Sequence, residues 1–290
     1  MCGPRDSSKW ANEWSHLEKL GREFYRRPAG TAPHGLRELS LKAYFNLVAD
    51  PALWTRLESV EIRGGEPFSD DRVWTYLGAL LAAGGSAVPL HITTSGLDLG
   101  EEQMSVLARF DRTRLHVSAE GVGELYRYIR GRNFSEFESG FERLRQVPHA
   151  QVSLVCTLSA YNVFGAVDLW KWQQARGLEP SAFALTIVER PSFLRPRTLP
   201  IETRLRALRS YREAGLTESA HPELFVELAR DERAGDEERI QAYQEFVEYT
   251  ADVDRLRGSR LAHAAPDLMR LETPTSGSTR RGGLSWPSRK

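Results

Sequence analysis

The chain is poor in cysteine: Cys2 and Cys156 are the two in its 290 residues. Two cysteines cannot build the multi-bridge framework that stabilises small secreted domains. Nor is there an excess of either charge, since Lys+Arg and Asp+Glu both number 39 and the formal net charge is zero. A chain so balanced has no broad field to gather nucleic acid or an acidic membrane. Long apolar runs are also missing, and none approaches the roughly 20 residues that cross a bilayer. The opening Met1-Cys2-Gly3-Pro4-Arg5-Asp6 lacks the basic-then-apolar order of a secretory signal. The seven histidines are scattered, without the short His or Cys spacings of a zinc site. These absences together predict a cytoplasmic chain with neither nucleic acid nor membrane as partner.

What is present is a rhythm of short apolar runs and helical patterns. Ser59–Arg63 alternates apolar and polar side chains and stops at Gly64-Gly65. Val88–Thr93 stops at Ser95-Gly96, and Arg114–Ser118 stops at Gly121. Gln151–Thr157 and Phe183–Val188 complete five predicted strands. Between them, Asp70 can cap a helix with Val73, Leu77, Leu80 and Leu81 on one face. Phe134, Phe137, Phe141 and Leu144 give a second such face, and Val163, Val167, Trp170 and Trp172 a third. Strand-helix repetition of this kind predicts an α/β fold with a parallel sheet, either doubly wound or a full or partial barrel. After Pro200 the strand signal fades, leaving predicted helices over 201–214 and around Ile240–Val253. Residues 1–200 therefore read as the α/β body, 201–272 as a helical C-terminal extension, and 273–290 as a disordered tail rich in Ser, Thr, Gly and Arg.

Parallel α/β folds bind ligands beyond the C-terminal ends of their strands. The unusual residues of this sequence fall there. Gly64-Gly65-Glu66-Pro67 follows the first strand, and its glycines permit positive φ and close approach of backbone to a ligand. Glu66 can accept a hydrogen bond from an ammonium group. The second strand ends at Thr94-Ser95-Gly96, and the third at Ser118-Ala119-Glu120-Gly121. Each is individually an ordinary turn, yet three polar strand ends would converge on one pocket.

Taken in order, these segments resemble the radical S-adenosylmethionine superfamily, in its subgroup containing a twitch domain. Met1-Cys2-Gly3-Pro4, then Ser7-Ser8 and Trp10, is similar to the end of that family's C-x-x-x-C-x-x-C cluster loop. Gly64-Gly65-Glu66-Pro67 resembles its motif for the methionine amino group of the cofactor. Thr94-Ser95-Gly96 resembles its Thr-Asn-Gly turn, with Ser95 in place of Asn. Ser118-x-Glu120-Gly121 resembles the strand end that meets the cofactor's ribose or carboxylate, where the family often has Asp, and Arg130-Gly131 is similar to a segment that follows it. Thr157-x-Ser159-x-x-Asn162 resembles the strand end that closes the site, and Pro266-Asp267-Leu268 a closing Pro-Glu-Leu.

The resemblance implies a partial (β/α)6-type barrel lacking its first strand, with the sequence beginning inside the cluster motif. It implies Cys2 as an iron ligand of a [4Fe–4S] cluster, and Gly64, Gly65, Glu66, Ser95, Ser118, Glu120 and Asn162 as contacts to S-adenosylmethionine. In the complete protein the reduced cluster would cleave that cofactor to a 5′-deoxyadenosyl radical for hydrogen abstraction. An electron donor such as flavodoxin or ferredoxin would serve it, and the substrate would be a peptide, a sugar or a natural-product intermediate. Two of the three cluster cysteines are missing from the chain as given, so no cluster is expected in it. Cys156, inside an apolar run, reads instead as a buried hydrophobe. Two other readings stand beside this one. A degenerate barrel without a cluster could serve as a peptide- or nucleotide-binding module. An ordinary α/β enzyme could bind phosphate at the glycine turn, although Pro67-Phe68 after Glu66 suits that poorly.

Overall fold

The computed structural model describes residues 8–25, 56–230 and 236–269. Five strands form the centre: β1 Val60–Ile62, β2 Leu90–Thr94, β3 Thr113–Ser118, β4 Ala150–Leu158 and β5 Phe183–Ile187. All neighbours are parallel and the order is β1-β2-β3-β4-β5. That order decides between the two architectures the sequence left open. A doubly wound sheet reverses its order at a switch point, whereas a barrel adds strands in sequence. The α/β class is thus found with the sheet of a partial barrel, and β1 and β5 are its edges among the described residues.

The connecting helices follow from local chemistry. After α1 (Ser8–Glu18), helix α2 (Asp71–Ala82) begins at Asp70, whose carboxylate accepts from the Arg72 amide as a helix cap should. Its face of Leu77, Leu80 and Leu81 is buried. Helices α3 (Glu101–Leu107) and α4 (Gly123–Arg130) flank β3, and the sequence periodicity had shown neither. Helix α5 (Phe134–Arg145) carries the expected Phe137, Phe141 and Leu144, each wholly buried and each contributing about 1.5–3 kcal/mol by the area it removes from water. Helix α6 (Gly165–Gln174) differs from its predicted face, because its two tryptophans pack apart. Trp172 lies 5.2 Å from the Phe141 ring, while Trp170 meets Phe183 at 5.3 Å and donates to the Ala214 carbonyl.

The C-terminal part is helical as expected: α7 Ile201–Glu213, α8 Pro222–Ala229, α9 Asp236–Arg257 and two single turns, α10 Leu261–Ala264 and α11 Pro266–Met269. Helix α8 is an addition to the sequence reading; Pro222 at its first turn and Leu224, Phe225 and Leu228 on its buried side are the signal. Its C-terminal carbonyls are met by the buried guanidinium of Arg204, which donates to the Leu228 and Arg230 oxygens. In α9, Phe246, Thr250 and Val253 are buried as predicted, joined by Tyr249, but Ile240 is exposed. The tail at 273–290 lies outside the described residues.

Candidate functional site

Because the strands are parallel, their C-terminal ends share one rim. β1 delivers Gly64 and Gly65 to it, both exposed, with φ of +93° and +56°. No atom lies within 4 Å of where a Cβ would sit on either, so their constraint is conformational rather than steric.

Glu66 comes next and crosses to the neighbouring strand end. Its Oε2 accepts from the Ser95 amide at 2.7 Å, and its Oε1 accepts from the Thr94 hydroxyl and from the Phe68 amide. The carboxylate thereby ties the turn after β1 to the turn after β2. It stays half-exposed, with lone pairs left toward solvent. Thr94, predicted only as part of a turn, is buried and holds the second turn itself: its Oγ accepts from the Gly96 amide at 3.0 Å. Ser95 does the same more weakly for the Leu97 amide at 3.4 Å. Gly96 has φ +76°, and its carbonyl oxygen lies only 2.0 Å from where a Cβ on Gly140 of α5 would stand. Two glycines thus let α5 close on the rim.

At the end of β3, Ser118 is half-buried and Glu120 is buried. The Glu120 carboxylate receives both Nε and Nη2 of Arg130, a two-pronged pair. Sequence reading placed Glu120 on the rim but not its occupation by Arg130, ten residues on. After β4, Asn162 is wholly buried. Its Oδ1 accepts from the Ser159 amide at 2.6 Å and hydroxyl at 2.9 Å, and its Nδ2 donates to the Thr157 carbonyl. These partners lie in its own loop and at the end of β4, so Asn162 ties the loop back to the strand from behind. The strand ends singled out in the sequence are therefore brought to one rim. Glu66, Thr94 and Ser95 are in mutual contact, and Glu120 and Asn162 are engaged internally.

The sheet has a polar face opposite the helices. Strands of a parallel sheet covered on both sides are apolar throughout; here alternate positions carry Thr93, His116, Ser118, Ser153, Thr157 and Thr186. His116 Nδ1 lies 2.8 Å from Ser153 Oγ, and its ring is 6.4 Å from His91. Burial, then the neighbouring His91, Arg63 and Arg114, hold the His116 imidazole below its ordinary pKa against a smaller opposing effect of Glu61.

Cys156 is wholly buried, and burial pushes its thiol well above the usual range, which makes it a hydrophobe and not a ligand. Cys2 lies outside the described residues. Among the described residues no group of three or more His, Cys, Asp or Glu side chains could hold a metal ion, and no helix is long and apolar enough to cross a membrane.

No family model matches the chain, and no curated protein matches it. Among solved structures it is similar to native anSMEcpe with bound AdoMet, at 11% identity over 76% of this chain and 53% of that chain, with a TM-score of 0.43. Native anSMEcpe with bound AdoMet and Kp18Cys peptide gives 11% over 77% and 54%, with a TM-score of 0.42. Streptococcus suis SuiB bound to S-adenosylmethionine gives 15% over 57% and 40%, with a TM-score of 0.39. The chain spans about half the length of the first of these structures. At such scores the fold rests on the strand order and register described above.

Proposed function

We propose that the rim is an S-adenosylmethionine site, and that the chain belongs to a radical S-adenosylmethionine enzyme. One observation carries this reading. The four sequence segments that resemble the family's cofactor motifs, ending at Glu66, Gly96, Glu120 and Asn162, all follow C-terminal strand ends of one sequentially ordered parallel sheet.

The residues suit the cofactor. The exposed Gly64-Gly65 backbone admits the methionine end without side-chain obstruction. Glu66, held in place by Thr94 and Ser95, offers its remaining lone pairs to the amino group. Ser118 and the Glu120–Arg130 pair border the next stretch of rim and supply hydroxyl and charged partners for the polar parts of the nucleoside. Bound there, and given an electron from a reduced cluster, S-adenosylmethionine would supply hydrogen-abstraction chemistry to a substrate on the polar sheet face; the protein's own residues bind, orient and exclude water. The described residues carry no thiolate set for a [4Fe–4S] cluster, so their part in the reading is confined to the cofactor. Cys2 is proposed as one ligand of that cluster. Peptide or natural-product substrates and a flavodoxin or ferredoxin donor belong to the same proposal.

Isothermal calorimetry tests it. The chain is expected to bind S-adenosylmethionine, and Glu66→Ala to weaken binding by about tenfold or more, the size of a charged hydrogen bond. Heat absent from the unaltered chain sinks the reading. The non-catalytic alternative parts from it when a chain extended upstream is reconstituted. Iron and sulfide at about four of each per chain mark the enzyme, whereas cofactor binding without them marks a binding module.

A further inference from the structure

The polar face of the sheet gathers positive charge that the cofactor reading does not use. Register sets it out in rows. Glu61, His91 and Arg114 stand level across β1, β2 and β3. Two residues on, Arg63 follows Ile62, the partner of Ile92, and so stands level with Thr93, His116 and Ser153. Side chains two apart on a strand share a face, so both rows look the same way, about 7 Å apart along the strands. The burial pattern agrees: in β2 and β3 these positions are the more exposed ones and their alternates are buried. The upper row ends where Gly64-Gly65 begins, which puts it just below the rim.

Two arginines and two imidazoles thus meet one carboxylate. The His91 and His116 rings are 6.4 Å apart, and His116 Nδ1 is 2.8 Å from Ser153 Oγ. Arg63 pairs with Glu61 at 3.0 Å, but both side chains are exposed, and a pair in water exchanges readily for a better partner. Arg114 has no hydrogen-bond or ion-pair partner among the described residues. Burial, and then His91, Arg63 and Arg114, press the His116 imidazole toward its neutral form against the pull of Glu61. The face has donors to spare and too little negative charge to meet them.

We propose that this face binds the carboxylate of a small-molecule acid, with Arg63 and Arg114 as its charged donors and His116 and Ser153 as its neutral partners. This deepens the cofactor reading above and rests on it for calling the acid a substrate; the binding itself does not. Charge complementarity selects the ligand, because a planar guanidinium fork matches a carboxylate. Charge also orients it. Glu66 on the rim repels a second anion there, so the acid's charged end lies toward the arginines and its neutral end toward the cofactor. Three strands at about 4.8 Å spacing span roughly 10 Å, the width of a small molecule.

Nuclear magnetic resonance of the histidine ring C–H signals tests it on the full chain at fixed chloride. The His116 signal is assigned by its loss in His116→Gln, and the probes are benzoate and its neutral isostere benzamide. Benzoate is expected to move the His116 signal and to bind about tenfold or more tightly than benzamide, a comparison that needs no variant. Arg63→Gln and Arg114→Gln are each expected to weaken benzoate about fivefold or more. Both arginines are exposed, and the His221 signal, from a ring packed on Phe183, serves as the control for folding. S-adenosylmethionine should leave benzoate bound. Equal affinity for the two probes overturns the proposal, as does benzoate binding unchanged in both variants. The same shift produced by chloride alone, an adventitious ion only, overturns it too. So does displacement of benzoate by S-adenosylmethionine, since the acid would then occupy the cofactor's place. A capped tripeptide with a central glutamate that binds about tenfold more tightly than benzoate overturns the small-molecule occupant in favour of a polypeptide. Arginine-dependent benzoate binding in a chain that shows no calorimetric binding of S-adenosylmethionine sinks the cofactor reading and leaves the acid site standing.

Discussion

Glu120 has 2% of its surface exposed, and among the described residues Arg130 balances its charge. Removing that partner leaves a carboxylate in a poorly solvated place, so Arg130→Met is expected to cost about 3 kcal/mol in urea unfolding. Changing Glu120→Gln together with Arg130→Met should recover much of the loss, because no buried charge then remains. His116 makes a different prediction. Its imidazole is held below the ordinary value of 6.5, so the unfolded chain binds the proton more readily than the folded one. Stability from this group is complete above about pH 6.5 and falls as the pH drops below it. The groups responsible are its own burial, His91, Arg63 and Arg114, with Glu61 opposing. His221, lowered by burial alone, adds a slope of the same sign. Replacing His116 with Gln should therefore flatten part of the decline between pH 7 and 5, leaving the share of His221. Sequence reading found Glu120 as a strand-end carboxylate but gave no sign of its ten-residue link to Arg130. Nor did it find His116, which is one of several alternating polar residues until the parallel register sets it beside Ser153.

The elements that position the site were largely legible in the sequence. Each of the first four strands ends at or near a glycine or a small polar turn, and Asp70 starts α2 where its cap chemistry requires. What periodicity missed were short helices, α3, α4 and α8, whose seven, eight and eight residues give a repeat too brief to stand out from loop sequence. It also missed the close seating of α5 on the rim, since a glycine inside a helix reads as a weak point until its neighbour is known. Gly140 is that case: a methyl there would meet the Gly96 carbonyl, which belongs to the backbone and cannot turn aside. Gly140→Ala is expected to destabilise by about 2 kcal/mol, although helix propensity alone predicts a gain. Chemical denaturation gives the sign, and a stabilised protein would show that α5 stands farther from the rim.

Over the whole molecule, the division into an α/β body and a C-terminal extension predicts separable parts, while two ionic junctions, Arg22 with Asp252 and Arg257 with Glu13, tie α1 and the turn after it to α9. Unfolding in urea followed by far-ultraviolet dichroism and by tryptophan fluorescence should give coincident curves; two midpoints would show that the extension melts alone. These junctions were invisible in the sequence because charge pairs separated by over 200 residues leave no local pattern. One feature of the sheet reaches further. The glycine pair hangs from β1, a three-residue outer strand with a single neighbour among the described strands, and beyond it Glu66 is the fastening to the turn after β2. Such a margin peels away by local fluctuation well before the centre of the sheet opens. Amide hydrogen exchange at Glu61 and Ile62 should accordingly outpace that along β3 and β4, and slow when a small molecule occupies the lip. Ligand capture and the persistence of this outermost strand then become one equilibrium, and a mutation that frays the margin loses affinity without touching any atom of the ligand.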